Sequence, residues 1–324
     1  MEYTVNLKEA KEDIQLFGGK ASNLIKLIKY GIKVPPGFVL NTKSFKEFVE
    51  DNQIQSEIKG IFSKEYYPKD VIDISSKIKK LFLGINLPER IIKEIIRTHS
   101  QVFANLEKRC TYVVRSSANY EDLREFSFAG QAQSFLNNHN VDDIILSIKK
   151  CWASLFSPQA LLYLLQLKKR EINISPKDLK MAVIVQKMIN PQVSGVLFTA
   201  NVINNNKNQM MINSSWGLGE AITGNLVIPD LIILNKIKFD IVKTVIGKKE
   251  KLLIADPNGM STILIETEKT LQEQCSLNRT QLKQLHNLGI NLENFFNYPQ
   301  DIEWAIENNT IYTLQSRPIT TLAN

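Results

Sequence analysis

Apolar side chains recur every three to four residues through FKEFVEDN, DVIDISSKIKKLFLG and ERIIKEIIRTHSQVFANLEKR. Residues 41–110 are therefore predicted to be mostly helical, with one charged face. An earlier helix follows the Gly18-Gly19 turn, with Leu24, Leu27 and Ile28 on one side; Gly31 ends it and Pro35-Pro36 follow. Beyond residue 110 the pattern changes. TYVV, MAVIVQKMI, VSGVLFTA, QMMINSSW, LIILNK and DIVKTVIG are short apolar or β-branched runs, which predicts strands. Helices return around CWASLFSPQALLYLLQ and from Ser276 to Leu288. His99 and His286 fall late in their helices and read as surface or helix-end residues.

Residues 301–320, DIEWAIENNTIYTLQSRPIT, alternate acids with apolar side chains, pause at two asparagines and resume, which predicts a β-hairpin. Ile302, Trp304 and Ile306 share one face of the first strand, and Tyr312 and Leu314 one face of the second. A two-residue turn at Asn308-Asn309 would set Trp304 against Thr313 and put the apolar faces in conflict. A three-residue loop, 308–310, pairs Trp304 with Leu314 and Ile306 with Tyr312, and is the expected register. It places Glu303 opposite Gln315 and Asp301 opposite Arg317 on the other face. Carboxylate and amide oxygens suit a hard cation such as Mg²⁺, with Arg317 at hand for a phosphate. An exposed polar face with an Asp301–Arg317 ion pair also explains part of the pattern, but leaves Glu303 beside Gln315 without a reason.

With 324 residues, 44% of them hydrophobic, the chain can bury a large core and is long enough for more than one domain. No stretch approaches the roughly 20 uninterrupted apolar residues of a membrane span, and MEYTVNLKEAKEDIQ has no signal-like apolar run, so the cytoplasm is the expected location. Cys110, Cys151 and Cys275 lie far apart and read as packing residues. The net charge of +7 is spread among 33 acids without an aromatic-interleaved basic run. That balance argues against nucleic acid as a partner and is compatible with holding a polyphosphate.

Three further stretches carry candidate chemistry. Lys20 of LFGGKASNL stands at a helix start, where backbone N–H groups favour anions, although a plain glycine turn with a solvated lysine fits the same residues. The run ending in Arg115-Ser116-Ser117 delivers a forked donor into a loop that leads to Gly130, Gln131 and Ser134, a set suited to phosphate oxygens. A surface pair of Arg115 with Glu121 or Asp122 is the alternative. Finally, the exit of the 181–189 strand at Gln186, Lys187 and Met188 offers backbone donors and acceptors beside apolar groups, as a purine edge requires, or is simply a core strand.

Taken in order, GGKASNL, VPPGF, VVRSSANYEDLREFSFAGQ, VSGVLFT, WGLGE and DIEWAI with LQSRPIT resemble the N-terminal ATP-binding region of the phosphoenolpyruvate synthase, pyruvate phosphate dikinase and rifampicin phosphotransferase family. The resemblance runs from about residue 5 to 321. It implies an α+β, ATP-grasp fold, with ATP and Mg²⁺ held between two α+β lobes, here 1–190, which includes the helical segment, and 191–324, which carries the metal. Lys20 and Arg115 would contact ATP phosphates, Gly130 and Ser134 would lie in the phosphate loop, and Gln186 and Met188 near the adenine. Glu303 and Gln315, with Asp301, would hold metal, and Arg317 would bind phosphate; Lys20, Arg115 and Arg317 form the implied catalytic set.

In such enzymes a histidine on a swivelling domain attacks the β-phosphate of ATP, releasing AMP; the pyrophosphorylated histidine loses phosphate, and the remaining phosphoryl group passes to a small-molecule acceptor. His99, His139 and His286 do not stand in the family's phosphocarrier context. The acceptor histidine is therefore expected on another chain or in a region outside this sequence. Gln159 stands where the family usually has an arginine, and Leu164 where another is often found. Lys168 or Lys169 would have to compensate, or the chain would be a nucleotide-binding regulatory module without turnover.

Overall fold

The computed structural model describes residues 2–63, 66–106, 110–118, 133–169, 180–320 and 322. Its chain divides into two compact units, residues 1–29 with 36–188 and residues 30–35 with 189–324.

The first unit contains β1 (Thr4–Asn6), α1 (Ile14–Lys29), β2 (Gly37–Leu40), α2 (Thr42–Asp51), α3 (Gln55–Ser63), α4 (Val71–Gly84), α5 (Glu89–Val102), β3 (Tyr112–Ala118), β4 (Ser134–Asn138), α6 (Val141–Ser154), α7 (Pro158–Lys169) and β5 (Met181–Lys187). Its strands form one antiparallel sheet in the order β1-β2-β5-β3-β4. β5 sits in the middle, and Met181 to Gln186 are all buried, which is why MAVIVQ is apolar without alternation. Helix starts follow local chemistry: the Asn41 side chain accepts from Lys43 N and Ser44 N, and that of Asn140 from Asp143 N.

The two faces of this sheet have different fates. Phe38, Leu40, Val114, Val183 and Val185 point into a core shared with the helices. Phe45, Phe48, Phe82 and Trp152 stack there with ring centroids 5.0–6.4 Å apart, and Trp152 Nε1 donates to Met181 O at 3.3 Å. The register puts Val39, Val113, Arg115, Ser117, Ile184 and Gln186 on the opposite face, and Ser117 there bonds to α1.

The second unit holds β6 (Val193–Phe198), β7 (Gln209–Trp216), α8 (Glu220–Thr223), β8 (Asp230–Asn235), β9 (Ile241–Val245), β10 (Lys251–Ala255), β11 (Thr262–Glu266), α9 (Lys269–Gln272), α10 (Arg279–Phe296), β12 (Gln300–Glu307) and β13 (Thr310–Pro318). A six-stranded antiparallel sheet runs β13-β12-β6-β7-β8-β9, and β10 and β11 pair as a separate hairpin. The segment Tyr30–Pro35 belongs here: the Tyr30 ring stacks on Phe295 at 4.1 Å, and Thr313 N donates to Lys33 O at 2.8 Å.

α10 opens with an Asn278/Gln281 capping box and continues to Phe296, beyond the expected end at Leu288. Gly289 is not a stop. A Cβ there would come within 3.1 Å of Leu197 and Met210, so the glycine lets the helix lie close on the sheet. His286 is consequently a buried mid-helix residue bonded to Lys236 O at 2.8 Å, not a helix-end group. His99 lies in the last turn of α5 with its ring against Phe103 and Tyr112, more enclosed than the surface position expected of it. Burial lowers its pKa.

Lys249 and Asp230, both fully buried, form an ion pair at 2.5 Å in which every group is satisfied. Lys249 also donates to Gly247 O and Gln272 O, and Asp230 accepts from Gly247 N and from the N and Oγ of Ser276. Such pairing fastens the segments on either side of the β10–β11 hairpin to β8.

Candidate functional site

The 301–317 hairpin is built from two local rules acting together. Asn308 and Asn309 both adopt left-handed backbone, φ 50° and 59°, and form a two-residue turn between Glu307 and Thr310. Asparagine tolerates that conformation, and its twist matches antiparallel strands. Pairing then runs Ile306 with Ile311, Ala305 with Tyr312 and Trp304 with Thr313. This corrects the three-residue loop expected from the face pattern. The conflict of faces is relieved by a bulge: the register shifts past Leu314, so that Glu303 lies opposite Gln315, Ile302 opposite Ser316 and Asp301 opposite Arg317. Trp304, fully buried, covers Gly195 rather than Leu314; a Cβ on Gly195 would come within 2.7 Å of its ring.

The polar pairs therefore stand as expected, with the ion pair realised as well. Arg317 Nε donates to Asp301 Oδ2 at 2.9 Å, the arginine half exposed and the aspartate nearly buried. Burial raises the Asp301 pKa; Arg317 pulls it back through its charge and hydrogen bond, and nearby Glu303 raises it again. Across the sheet, Gln315, Glu303, Val196 and Asn213 form one row. Asn213 was not singled out in QMMINSSW. Two strand spacings, about 10 Å, and Val196 separate it from Glu303, so it joins this site only through a ligand of some length.

Among the described residues no three His, Cys, Asp or Glu side chains gather as a metal cluster. The hairpin instead offers two carboxylates and one amide, all oxygen donors. That set fits Mg²⁺, which commonly takes one or two carboxylates and completes its shell with water and phosphate oxygens.

In the first unit, Arg115, Ser134 and Gln186 fall on one face of the sheet: Arg115 pairs with both Ser134 and Ile184, and Gln186 with Val113. Arg115 is mid-strand rather than in a loop, and Ser134 opens β4. Gln186 is buried, and so is Met188, whose sulfur accepts from Asn137 N. Lys20 sits just past a break in α1 at Gly18, φ 74°, so it does occupy the start of a helical segment. Gly130 and Gln131 lie outside the described residues, as do Glu121, Asp122 and the side chains of Lys168 and Lys169. Gln159 is exposed in the first turn of α7, and Leu164 belongs to the hydrophobic core.

A family model described as the pyruvate phosphate dikinase AMP/ATP-binding domain matches residues 14–324. The chain belongs to this family. Phosphoenolpyruvate synthase of Pyrococcus furiosus is 35% identical over 355 residues, covering 97% of this chain and 43% of the relative. Rifampicin phosphotransferase of Bacillus subtilis is 36% identical over 315 residues, covering 96% and 35%. The chain thus spans less than half the length of these curated relatives. Among solved structures, D-alanyl-alanine synthetase A of Vibrio cholerae aligns over 93% of this chain and 58% of its own at 11% identity, with a TM-score of 0.31, too low to carry an argument. As a dikinase-type ATP-binding domain, the chain presents oxygen donors and an arginine on one hairpin, and a lysine and an arginine in its other unit.

Proposed function

We propose that this chain is the Mg·ATP-binding component of a dikinase-type phosphotransferase with an ATP-grasp architecture. It activates ATP for transfer of a pyrophosphoryl group to a histidine carried on a separate domain or chain, with release of AMP. The observation that carries the reading is the register of the hairpin, which sets Asp301, Glu303, Gln315 and Arg317 side by side on one face.

Each residue has a physical task. Glu303 and Gln315, with Asp301, would hold Mg²⁺, which neutralises phosphate charge when bound. Arg317 would exchange part of its bond to Asp301 for a phosphate oxygen. Lys20 and Arg115 would bind the polyphosphate as a point charge and a forked donor. Ser134 and Gly130 belong with Arg115 in phosphate binding, and Gln186 and Met188 with the adenine. The chain's work is positioning and charge neutralisation. The histidine supplies the nucleophile; its pyrophosphoryl group then loses phosphate, and a small molecule takes the remaining phosphoryl group.

Incubated alone with Mg·ATP, the purified chain is expected to form no AMP. Adding a separately purified phosphohistidine-domain protein of the same family is expected to start AMP release. The neutral, exposed Gln159 favours a second reading, a nucleotide-binding module without turnover. ATP binding with no AMP under any such partner would decide for it.

A further inference from the structure

We infer that Ser117 is a positioning residue for Lys20: its hydroxyl supplies from β3 the helix cap that Gly18 cannot, and so ties the Gly-Gly-Lys turn to the strand that carries Arg115. The inference rests on the proposed role of Lys20 in holding ATP phosphates.

The break in α1 falls at Gly18, φ 74° and ψ 172°, so the segment bearing Lys20 restarts at Gly19 and Ala21 is its third residue. At a helix start the N–H of the second or third residue is ordinarily taken by the side-chain oxygen of the capping residue. Glycine has none. Ser117 Oγ, fully buried, accepts from Ala21 N at 3.1 Å and donates its proton to Phe17 O at 2.8 Å. One hydroxyl thus bridges both sides of the break.

The approach is close. A Cβ on Gly18 would lie 2.2 Å from Ser117 O, so the turn packs backbone against backbone and its left-handed residue has to be glycine. Ser117 and Arg115 are two residues apart on β3 and share a face, about 7 Å from each other along the strand. Holding the break by Ser117 therefore fixes where the Lys20 segment begins relative to Arg115. The sequence hid this link, because Ser117 and Ala21 are 96 residues apart.

The test is calorimetric titration of the full chain with Mg·ATP and, separately, with adenosine, for wild type, Ser117→Ala, Lys20→Ala and the double variant. Loss of a helix cap corresponds to about fivefold to tenfold in affinity. Ser117→Ala is expected to weaken ATP by that factor, leave adenosine affinity unchanged and add little in the Lys20→Ala background. Ser117→Cys, close in size with a weaker acceptor, is expected to fall between the two and replaces alanine if that variant does not fold. The double-variant comparison decides where adenosine binds too weakly to titrate. Equal loss for ATP and adenosine, or a Ser117 effect that adds in full to that of Lys20→Ala, would assign Ser117 to general packing and overturn the inference. A wild type that does not bind ATP overturns the nucleotide reading itself. A wild type that binds ATP, is weakened by Lys20→Ala and is indifferent to Ser117→Ala overturns the positioning role alone.

Discussion

Asp301 stands between opposing influences: burial raises its pKa, Arg317 lowers it, and burial is the larger. Its folded pKa lies above the unfolded value of about 3.9, so the folded state binds the proton more tightly and loses stability as pH rises from there through the folded pKa. Asp301→Asn removes that loss, and Arg317, half exposed, stays hydrated when its partner is neutral. Thermal melts are expected to place the variant no lower than wild type at pH 7, with its advantage shrinking as pH falls toward 4, while Mg²⁺-dependent ATP affinity drops about tenfold or more. A melting point several degrees lower at pH 7 would make the ion pair structural. At this scale the sequence was legible where a signal was local: two acids on one strand and an amide and a guanidinium on the other, each at period two, gave Asp301, Glu303, Gln315 and Arg317 their common face. Asp230 and Lys249 left no such mark, because they lie 19 residues apart and their other partners are backbone groups and a serine up to 46 residues away.

The 301–317 hairpin shows how an element differs from its pattern. Face matching demanded an offset of one residue, and the three-residue loop was one way to absorb it; the chain absorbs it at Leu314 instead and keeps the tight turn. Deleting Leu314 separates the two arrangements. In the observed register the deletion removes the bulge and leaves Glu303 opposite Gln315, so Mg²⁺-dependent ATP binding is expected to survive, with about 1–2 kcal/mol of stability lost from one half-buried leucine. In the three-residue register the same deletion would slide Gln315 away and abolish binding. Titration of the variant with Mg·ATP, beside a urea melt, distinguishes them. The β10–β11 hairpin was missed for another reason: KLLIA and TILIE are partly exposed and carry aliphatic residues on both faces, so no alternation marks them. The end of α10 was misplaced because Gly289 reads as a stop but serves close packing.

At the scale of the whole molecule, the order of motifs carried more than any one of them. GGK, RSS and the strand exit at Gln186 each had a plain structural alternative, and their succession, together with the hairpin, pointed to one family. What the sequence left unsaid is how Lys20 is held, since that depends on strand β3 meeting a broken helix. The positive balance of the chain, +7, agrees with a polyanionic ligand. The most direct test of the account is calorimetric titration of the purified chain with ATP, with and without Mg²⁺, beside Glu303→Gln. The account predicts saturable ATP binding that weakens about tenfold or more when Mg²⁺ is omitted or Glu303 is neutralised. A folded wild type that takes up no ATP, or a Glu303→Gln variant that binds Mg·ATP as wild type does, would contradict it.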